Sequence, residues 1–460
     1  MTDQSDANQT CANQTCDVII IGAGTAGLKA YKAATARGAD TVIVERGAGG
    51  STCTRVGCMP SKLLIAAGRT AHQARHAEQF GVRTGAVEID VPAMWARVRR
   101  ERDRFVASVL EDYHAIPDAH RLHGVARFDG ADAVTVDGKR IVARRGIVIA
   151  TGSTPVIPDS LDPVRGRVHT NETIFELDHL PRRMAVLGAG PLGLELAQAF
   201  ARLGVTVSVF DPGDTIGGLS DPQANDAAIR ALGGEVDLHL GVEAEATPVD
   251  GGARLSWNGG AVEVDLILAA TGRKPLLGDL DLDSTGLERD DHGTPLFEET
   301  TRRCGDSNIF IAGDANAWRP VLHEAARGGR IAGDVAAGGA AARKLPALAI
   351  AFTEPNIVQV GTGFGDLPDD ARIGSAKVCD NGRANADGHD EGVVRLYADR
   401  DGTLIGASIV APEGEHLGHL VALAIDRGID AATFADQPWY HPTIEELLQS
   451  AARDLAGIED

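Results

Sequence analysis

The chain has 460 residues, 43% of them hydrophobic, with 55 glycines and a formal net charge of −21. Such a length exceeds what one core fills and predicts about three domains; the acidic balance argues against nucleic acid or an anionic membrane as partner. No apolar run reaches membrane-spanning length, residues 1–15 lack the basic start and apolar core of a signal peptide, and six cysteines are too few for a disulfide framework, so a reducing cytoplasm is the expected compartment.

Residues 1–16 carry a small duplication, Ala-Asn-Gln-Thr-Cys ending at Cys11 and again at Cys16, and read as a disordered tail. Asp17 to Ile21 then reads as an apolar strand. It runs into Gly22-Ala-Gly24-Thr-Ala-Gly27, a helix through Leu28, Ala30, Tyr31 and Ala34, and a second strand from Thr41 that ends at Glu45. The order strand, glycine turn, helix, strand, acid is the context a dinucleotide fingerprint needs. The glycines let the backbone approach a pyrophosphate, the helix N-terminus faces the phosphates, and the acid can bond a ribose hydroxyl.

The stretch Gly50 to Lys62 holds Cys53 and Cys58. Five helical steps rise about 7.5 Å, whereas disulfide Cα atoms rarely lie more than ~6.8 Å apart. A bridge here requires a distorted turn, which Gly57 can supply, and a strained bridge is easily reduced, as a catalytic disulfide must be. The pair would open a helix through Leu63, Leu64 and Ile65, whose N-terminus favours a thiolate, with Lys62 adding positive charge. Spacing alone leaves two alternatives, buried inert thiols or half of a zinc site lacking an evident second ligand pair.

A helical stretch follows from Ala66 to Gln79; its His72 and His76 share a face but have no third metal partner in sight. Met94 to Tyr113 reads as a long charged helix, Arg121 to Val142 as short β segments, and Ile147 to Ala150 as a strand closing in the turn Thr151-Gly152-Ser-Thr-Pro155. Then the pattern returns. A strand from Met184 to Leu187 leads into Gly188-Ala-Gly190-Pro-Leu-Gly193, a helix through Leu194 and Phe200, and a strand from Val205 ending at Asp211. First glycine and acid are 23 positions apart in both copies (22 to 45, 188 to 211), and Ala270-Thr271-Gly272-Arg-Lys-Pro275 matches the earlier closing turn. The halves are an internal repeat with two dinucleotide sites, expected for a flavin and a nicotinamide coenzyme. Asp211 is followed by Pro212-Gly213-Asp214 and no arginine, which favours NAD over NADP.

Asn308 to Asp314 is a further strand ending in Gly313-Asp314, followed by a helix around His323 to Ile331 and an Ala/Gly-rich linker, Ala336 to Arg343. From Ala347 onward strands are expected at Ile357 to Val360, Val393 to Tyr397 and Leu404 to Val410, then helices, with a polar loop from Asp366 to His389. Cys304 and Cys379 read as inert lone thiols. Near the end, His441 stands just before a helix start with Glu446 shortly inside it; a carboxylate there would fix the imidazole tautomer and raise its basicity, the alternative being a helix-capping feature.

Taken together, Cys53-x4-Cys58-x-Pro60-Ser61-Lys62, both fingerprints, Gly313-Asp314 and His441-Pro442-Thr443-x-x-Glu446 resemble the FAD-dependent pyridine nucleotide–disulfide oxidoreductases, over nearly the whole chain and most like the dihydrolipoamide dehydrogenases. The resemblance implies an α/β fold with two Rossmann-like dinucleotide-binding domains and a C-terminal α+β dimerisation domain. The expected boundaries are an FAD-binding part at 17–155, an NAD-binding domain at 156–275, a second FAD-binding or central part at 276–346 and the dimerisation domain at 347–460. It implies that Gly22, Gly24, Gly27, Glu45, Thr52, Lys62, the Ala126 backbone, Thr151, Gly152, Asp314, Leu322 and His323 hold FAD. Gly188, Gly190, Gly193, Asp211 and Gly272 would hold NAD, Lys62 and Glu195 would pair beside the flavin, and no metal is called for. Cys53, Cys58, His441 and Glu446 would be catalytic, with His441 and Glu446 serving the disulfide of the other subunit in a homodimer. The implied reaction oxidises a small dithiol, dihydrolipoamide, free or on the lipoyl domain of a 2-oxo acid dehydrogenase complex, and reduces NAD. Alternatives are an NAD(P)H-dependent reductase of another small disulfide, as in glutathione reductase, or a transhydrogenase or diaphorase. Three departures from the family pattern bear on substrate preference: Ser51 in place of a second glycine, Trp439 in place of a histidine, and Arg327-Gly328-Gly329 in place of an acidic residue.

Overall fold

The first strand is longer than its apolar run. In the computed structural model, which describes residues 14–458, it spans Gln14–Ile21, because Gln14, Thr15 and Cys16 pair in parallel with Ile141, Val142 and Ala143. The end of the expected tail is therefore sheet; Cys11 lies outside the described residues. Cys16 is buried, and burial pushes its thiol up to about 12.

The chain divides into two units. The first comprises residues up to Met59, Arg102–Thr154 and Arg273–Lys344; the second comprises Pro60–Glu101, Pro155–Gly272 and residues from Leu345 on. Residues 60–101, expected within the first nucleotide domain, belong with the second unit. The reason is packing: Leu64, Trp95 and Val98 are buried in one cluster with Leu194, Leu196 and Phe200 of the second fingerprint helix.

The first unit is built on a seven-stranded sheet. Its parallel centre is ordered Arg121–His123, Thr41–Glu45, Gln14–Ile21, Lys139–Ile149, and the last of these also pairs in parallel with Ile309–Ile311. Ala133–Val136 and Ala126–Phe128 continue the sheet antiparallel. Nearly continuous Val and Ile runs suit strands covered on both faces. One face carries the helices Thr25–Ala36 and Leu322–Ala336, which touch at glycine. A Cβ on Gly329 would lie 2.0 Å from the Ala26 carbonyl oxygen, and one on Gly333 would lie 2.1 Å from that of Ala30.

The second unit holds two sheets of five strands and one of three. The parallel one is ordered Asp237–Leu240, Thr206–Asp211, Arg183–Leu187, Leu266–Ala269, Val168–His169, and an antiparallel meander, Glu245–Val249, Gly252–Trp257 and Gly260–Val264, is inserted before its Leu266 strand. The C-terminal sheet is antiparallel, with order Leu348–Ala351, Asn356–Gly361, Leu404–Ala411, Val393–Ala398, Arg372–Lys377. Its last strand and a short helix, Gly382–Ala386, replace the expected loop at 366–389. Arg372–Lys377 is an edge strand with an exposed isoleucine, so its sequence lacks the apolar run of a central strand. Buried Asp221 caps the helix Pro222–Gly233 and also accepts from Arg395 Nε at 3.0 Å and Tyr397 Oη at 2.7 Å, fastening that helix to the C-terminal sheet.

Candidate functional site

The two glycine turns are near-copies. Gly22 has φ +105° and Gly188 +108°, a region that favours glycine. A Cβ on either would meet the carbonyl of Ala150 or Ala270 at 2.4 Å, and one on Gly27 or Gly193 would collide with the carbonyl of Gly22 or Gly188. Gly24 and Gly190 are the residues just before the two helices. Each acid bridges its own turn: Glu45 accepts from the N–H of Ala23 (2.7 Å) and Gly47 (2.7 Å), and Asp211 accepts from Ala189 (2.7 Å) and Gly213 (2.8 Å). Both carboxylates are thus held at the strand end, as ribose recognition requires.

Beside the first turn lies a cleft of about 60 Å³ lined by Gly22, Glu45, Ala126 and Thr151, four of the residues expected to hold FAD. The buried Thr151 hydroxyl has no hydrogen-bond partner among the described residues, and a polar ligand atom would supply one. These residues offer the close backbone approach and the polar partners that part of a dinucleotide would need. Gly152 follows with φ +73°. In the same unit Asp314 accepts from Ser153 Oγ at 2.8 Å, and Arg273 donates to that hydroxyl at 2.8 Å and lies 4.0 Å from the carboxylate. Leu322 and His323 are exposed at the start of the helix Leu322–Ala336. Arg273 follows Gly272 in the second Ala-Thr-Gly turn. The repeat was the available signal for both, since Ser153 and Arg273 hold the same position in the two turns.

The cysteine segment breaks where glycine allows. Thr52–Val56 is a short helix, Gly57 interrupts it, and Cys58 opens a new helix, Cys58–His76. The break falls at Gly57, where a distorted turn was expected, and leaves one cysteine in each helix. A Cβ on Gly57 would stand 3.0 Å from the Cys53 Cα, so the bare glycine lets the turn fold back on Cys53. Both cysteines are thiols here, Cys53 half-buried and Cys58 exposed. A hydrogen bond with Cys58, then burial, raises the Cys53 thiol well above its ordinary value. Thiols paired across a broken turn can close to a disulfide and reopen. Ser51 caps the short helix, accepting from Cys53 N–H at 3.2 Å. Cys304, by contrast, is buried with its thiol pushed up to about 12, as suits an inert cysteine.

In the second unit Lys62 Nζ lies 2.6 Å from Glu195 Oε2, with Glu195 buried. The other carboxylate oxygen accepts from Phe352 N–H at 2.8 Å, and the ammonium stands 4.3 Å from the Phe352 ring centre. Phe352 thus fixes the pair from both sides; its distance in sequence hid it.

The loop before the last helix, Glu446–Ala456, is organised by Glu446. Its carboxylate meets His441 Nδ1 at 3.0 Å and accepts from Thr443 N–H at 2.9 Å. Burial opposes its charge, but these bonds prevail and hold it below the usual carboxylate range. The His441 side chain is 77% exposed. An imidazole oriented at Nδ1, with Nε2 free to face outward, is a base prepared for a partner from outside. Glu446 is also the first residue of the helix, whose cap position, Glu445, makes no side-chain capping hydrogen bond. Trp439 donates to Phe434 O at 3.2 Å and packs edge-on against its ring.

Comparison with known families matches residues 16–329 to the model described as pyridine nucleotide-disulphide oxidoreductase and residues 348–452 to the dimerisation domain of that name. The dihydrolipoyl dehydrogenase of Halobacterium salinarum is 33% identical over 96% of this chain and 96% of its own. A mercuric reductase of Acidithiobacillus ferrooxidans is also 33% identical, over 97% of this chain and 84% of its own. Among solved structures, LpdA from Mycobacterium tuberculosis superposes with a TM-score of 0.82 at 26% identity, covering 95% of this chain and 99% of that one. The flavoprotein disulfide reductase RclA from Escherichia coli shares the fold, with a TM-score of 0.80 at 21% identity over 95% and 99%. No helix among the described residues is long and apolar enough to cross a membrane.

Proposed function

Because the chain belongs to the pyridine nucleotide–disulfide oxidoreductases, flavoenzymes that use FAD and NAD(H), we propose that it is a dihydrolipoyl dehydrogenase, oxidising dihydrolipoamide at the expense of NAD. The observation that carries the reading is the pairing of Cys53 with Cys58 across the break at Gly57. The working form is a homodimer in which His441 of one copy serves the Cys53–Cys58 disulfide of the other. His441 takes a proton from one substrate thiol, with Glu446 holding the ring. The thiolate attacks the Cys53 sulfur, a mixed disulfide forms and Cys58 leaves as thiolate. The second substrate thiol, deprotonated in turn, attacks the same mixed disulfide and releases the cyclic disulfide, so both cysteines end reduced. FAD, held by Gly22, Gly24, Gly27, Glu45, Thr52, the Ala126 backbone, Thr151, Gly152, Asp314, Leu322 and His323, supplies the two-electron passage from this dithiol to NAD. Lys62 and Glu195 contribute a fixed ion pair. Gly188, Gly190, Gly193, Asp211 and Gly272 hold NAD, and the absence of arginine after Asp211 supports NAD over NADP.

The test is NAD reduction by dihydrolipoamide with purified flavoprotein, run beside NADPH oxidation driven by glutathione disulfide and by mercury(II), the last because a mercuric reductase is as similar as the dehydrogenases are. NADH formation confined to the dithiol, lost in Cys53→Ser and Cys58→Ser and falling about 10²–10⁴-fold in His441→Gln, is the expected result. Activity confined to either oxidant would reassign the substrate, and full dithiol activity in a cysteine variant would end the scheme.

A further inference from the structure

Ser51 lies between two parts of the site. It is 5% exposed and stands just before the five-residue helix that holds Cys53. Its Oγ accepts from Cys53 N–H at 3.2 Å and shares a 2.7 Å hydrogen bond with Oγ1 of Thr25, the first residue of the helix that follows the Gly22–Gly24 turn. Its carbonyl accepts from Thr54 Oγ1 at 3.0 Å and Arg55 N–H at 3.2 Å. One residue earlier, Gly50 N–H donates to Ala23 O at 3.1 Å. The loop entering the redox helix is therefore joined to the dinucleotide turn by one backbone bond and one hydroxyl pair.

We propose that Ser51 is a positioning residue through which the first dinucleotide turn sets the redox equilibrium of the Cys53–Cys58 pair. The proposal deepens the disulfide-exchange function above and rests on it. Five residues are too few to hold a helix by themselves, so the geometry of Thr52–Val56 depends on its cap. With Ser51 in place Cys53 is held where Cys58 can reach it, and little freedom remains to be lost when the ring closes. Closure forms one S–S bond and releases two protons and two electrons to the redox couple in solution. Without the hydroxyl, the Cys53 N–H and the Thr25 hydroxyl both lose a partner in a half-buried place. The turn loosens and the disulfide becomes easier to reduce. Through the same bond, a change at Thr25 reaches Cys53.

The experiment equilibrates the full-length FAD-loaded protein with oxidised and reduced dithiothreitol and counts thiols by alkylation, a readout independent of turnover. Ser51→Ala shifts the equilibrium about three- to tenfold toward the dithiol, or about 15–30 mV for a two-electron couple. Ser51→Thr, which keeps the hydroxyl, stays within about twofold of the natural protein. Thr25→Ala shifts it in the same direction as Ser51→Ala. An unmoved equilibrium in Thr25→Ala, or Ser51→Thr behaving as Ser51→Ala should do, overturns the proposal. Should Ser51→Ala fail to fold, the other two variants carry the test. A natural protein that never forms the Cys53–Cys58 disulfide under oxidising conditions would sink the proposed function itself, an outcome distinct from a working disulfide indifferent to Ser51.

Discussion

Arg302 shows what a single residue can hide. It is 1% exposed, and none of its three guanidinium nitrogens has a hydrogen-bond partner among the described residues. It stands 4.7 Å from the Trp318 ring centre and 5.5 Å from that of Phe297, with Glu324 Oε2 3.7 Å away. Burial pulls the guanidinium below its ordinary value. Arg319, 3.4 Å from the other oxygen of Glu324, makes the carboxylate the centre of a triad. Removing the only negative member leaves a buried cation uncompensated, so Glu324→Ala is expected to cost about 3–5 kcal/mol, whereas Arg302→Met is expected to be neutral or mildly stabilising. Urea midpoints of the two variants decide, and equal losses would show that packing rather than charge dominates. Nothing in the sequence marked Arg302, because a charged residue is read as surface unless a partner near in sequence says otherwise. His441 and Glu446 were legible for the opposite reason: five positions separate them, and the contact is local.

Among the elements, those with a local signature were legible and those defined by packing were not. The Thr25–Ala36 and Pro191–Arg202 helices announce themselves through glycine turns. The helix Val91–His114 was visible in outline from its charge pattern. Arg372–Lys377 was not, since an edge strand carries no apolar run. Arg327-Gly328-Gly329 looked like a change in substrate preference, yet the structure gives Gly329 a packing role. With Gly333 it lets the helix Leu322–Ala336 touch the backbone of Thr25–Ala36. Alanine is the better helix former, so Gly333→Ala would stabilise an isolated helix. Here its Cβ would meet the Ala30 carbonyl at 2.1 Å, and backbone cannot yield as a side chain can. A loss of about 1–3 kcal/mol is expected, together with faster release of FAD, since Gly24 just before one helix and Leu322 at the start of the other are proposed to hold it. Thermal denaturation and flavin fluorescence check this; an unchanged midpoint would mean that the helices separate at little cost.

For the whole molecule, the repeat of two dinucleotide halves was legible because it is written twice at a constant offset of 23 positions. The assignment of residues 60–101 to the second unit was not, because it follows from long-range burial of Leu64, Trp95 and Val98. Charge is also a property of the whole. With 65 acidic against 44 basic residues, the folded state repels itself more than the expanded chain does. Against this stand many ion pairs, most of them with exposed partners, such as Lys32–Asp112 and Arg46–Asp279, and such pairs contribute about 0–1 kcal/mol each. Salt weakens both effects, so its net sign tells which is larger. Screening length falls from about 10 Å at 0.1 M to about 3 Å at 1 M. Repulsion sums over all the separated charges, whereas paired charges stand about as close as the shorter distance and are screened less. Raising KCl from 0.1 M to 1 M should therefore remove more repulsion than attraction and raise the midpoint of thermal unfolding by several degrees, at roughly 2–4 °C per kcal/mol for a unit of 150–250 residues. NaCl should act alike, since screening depends on ionic strength and not on the cation. A midpoint that falls with both salts would place the stability in the ion pairs, and one that rises only with KCl would require cation binding in place of screening.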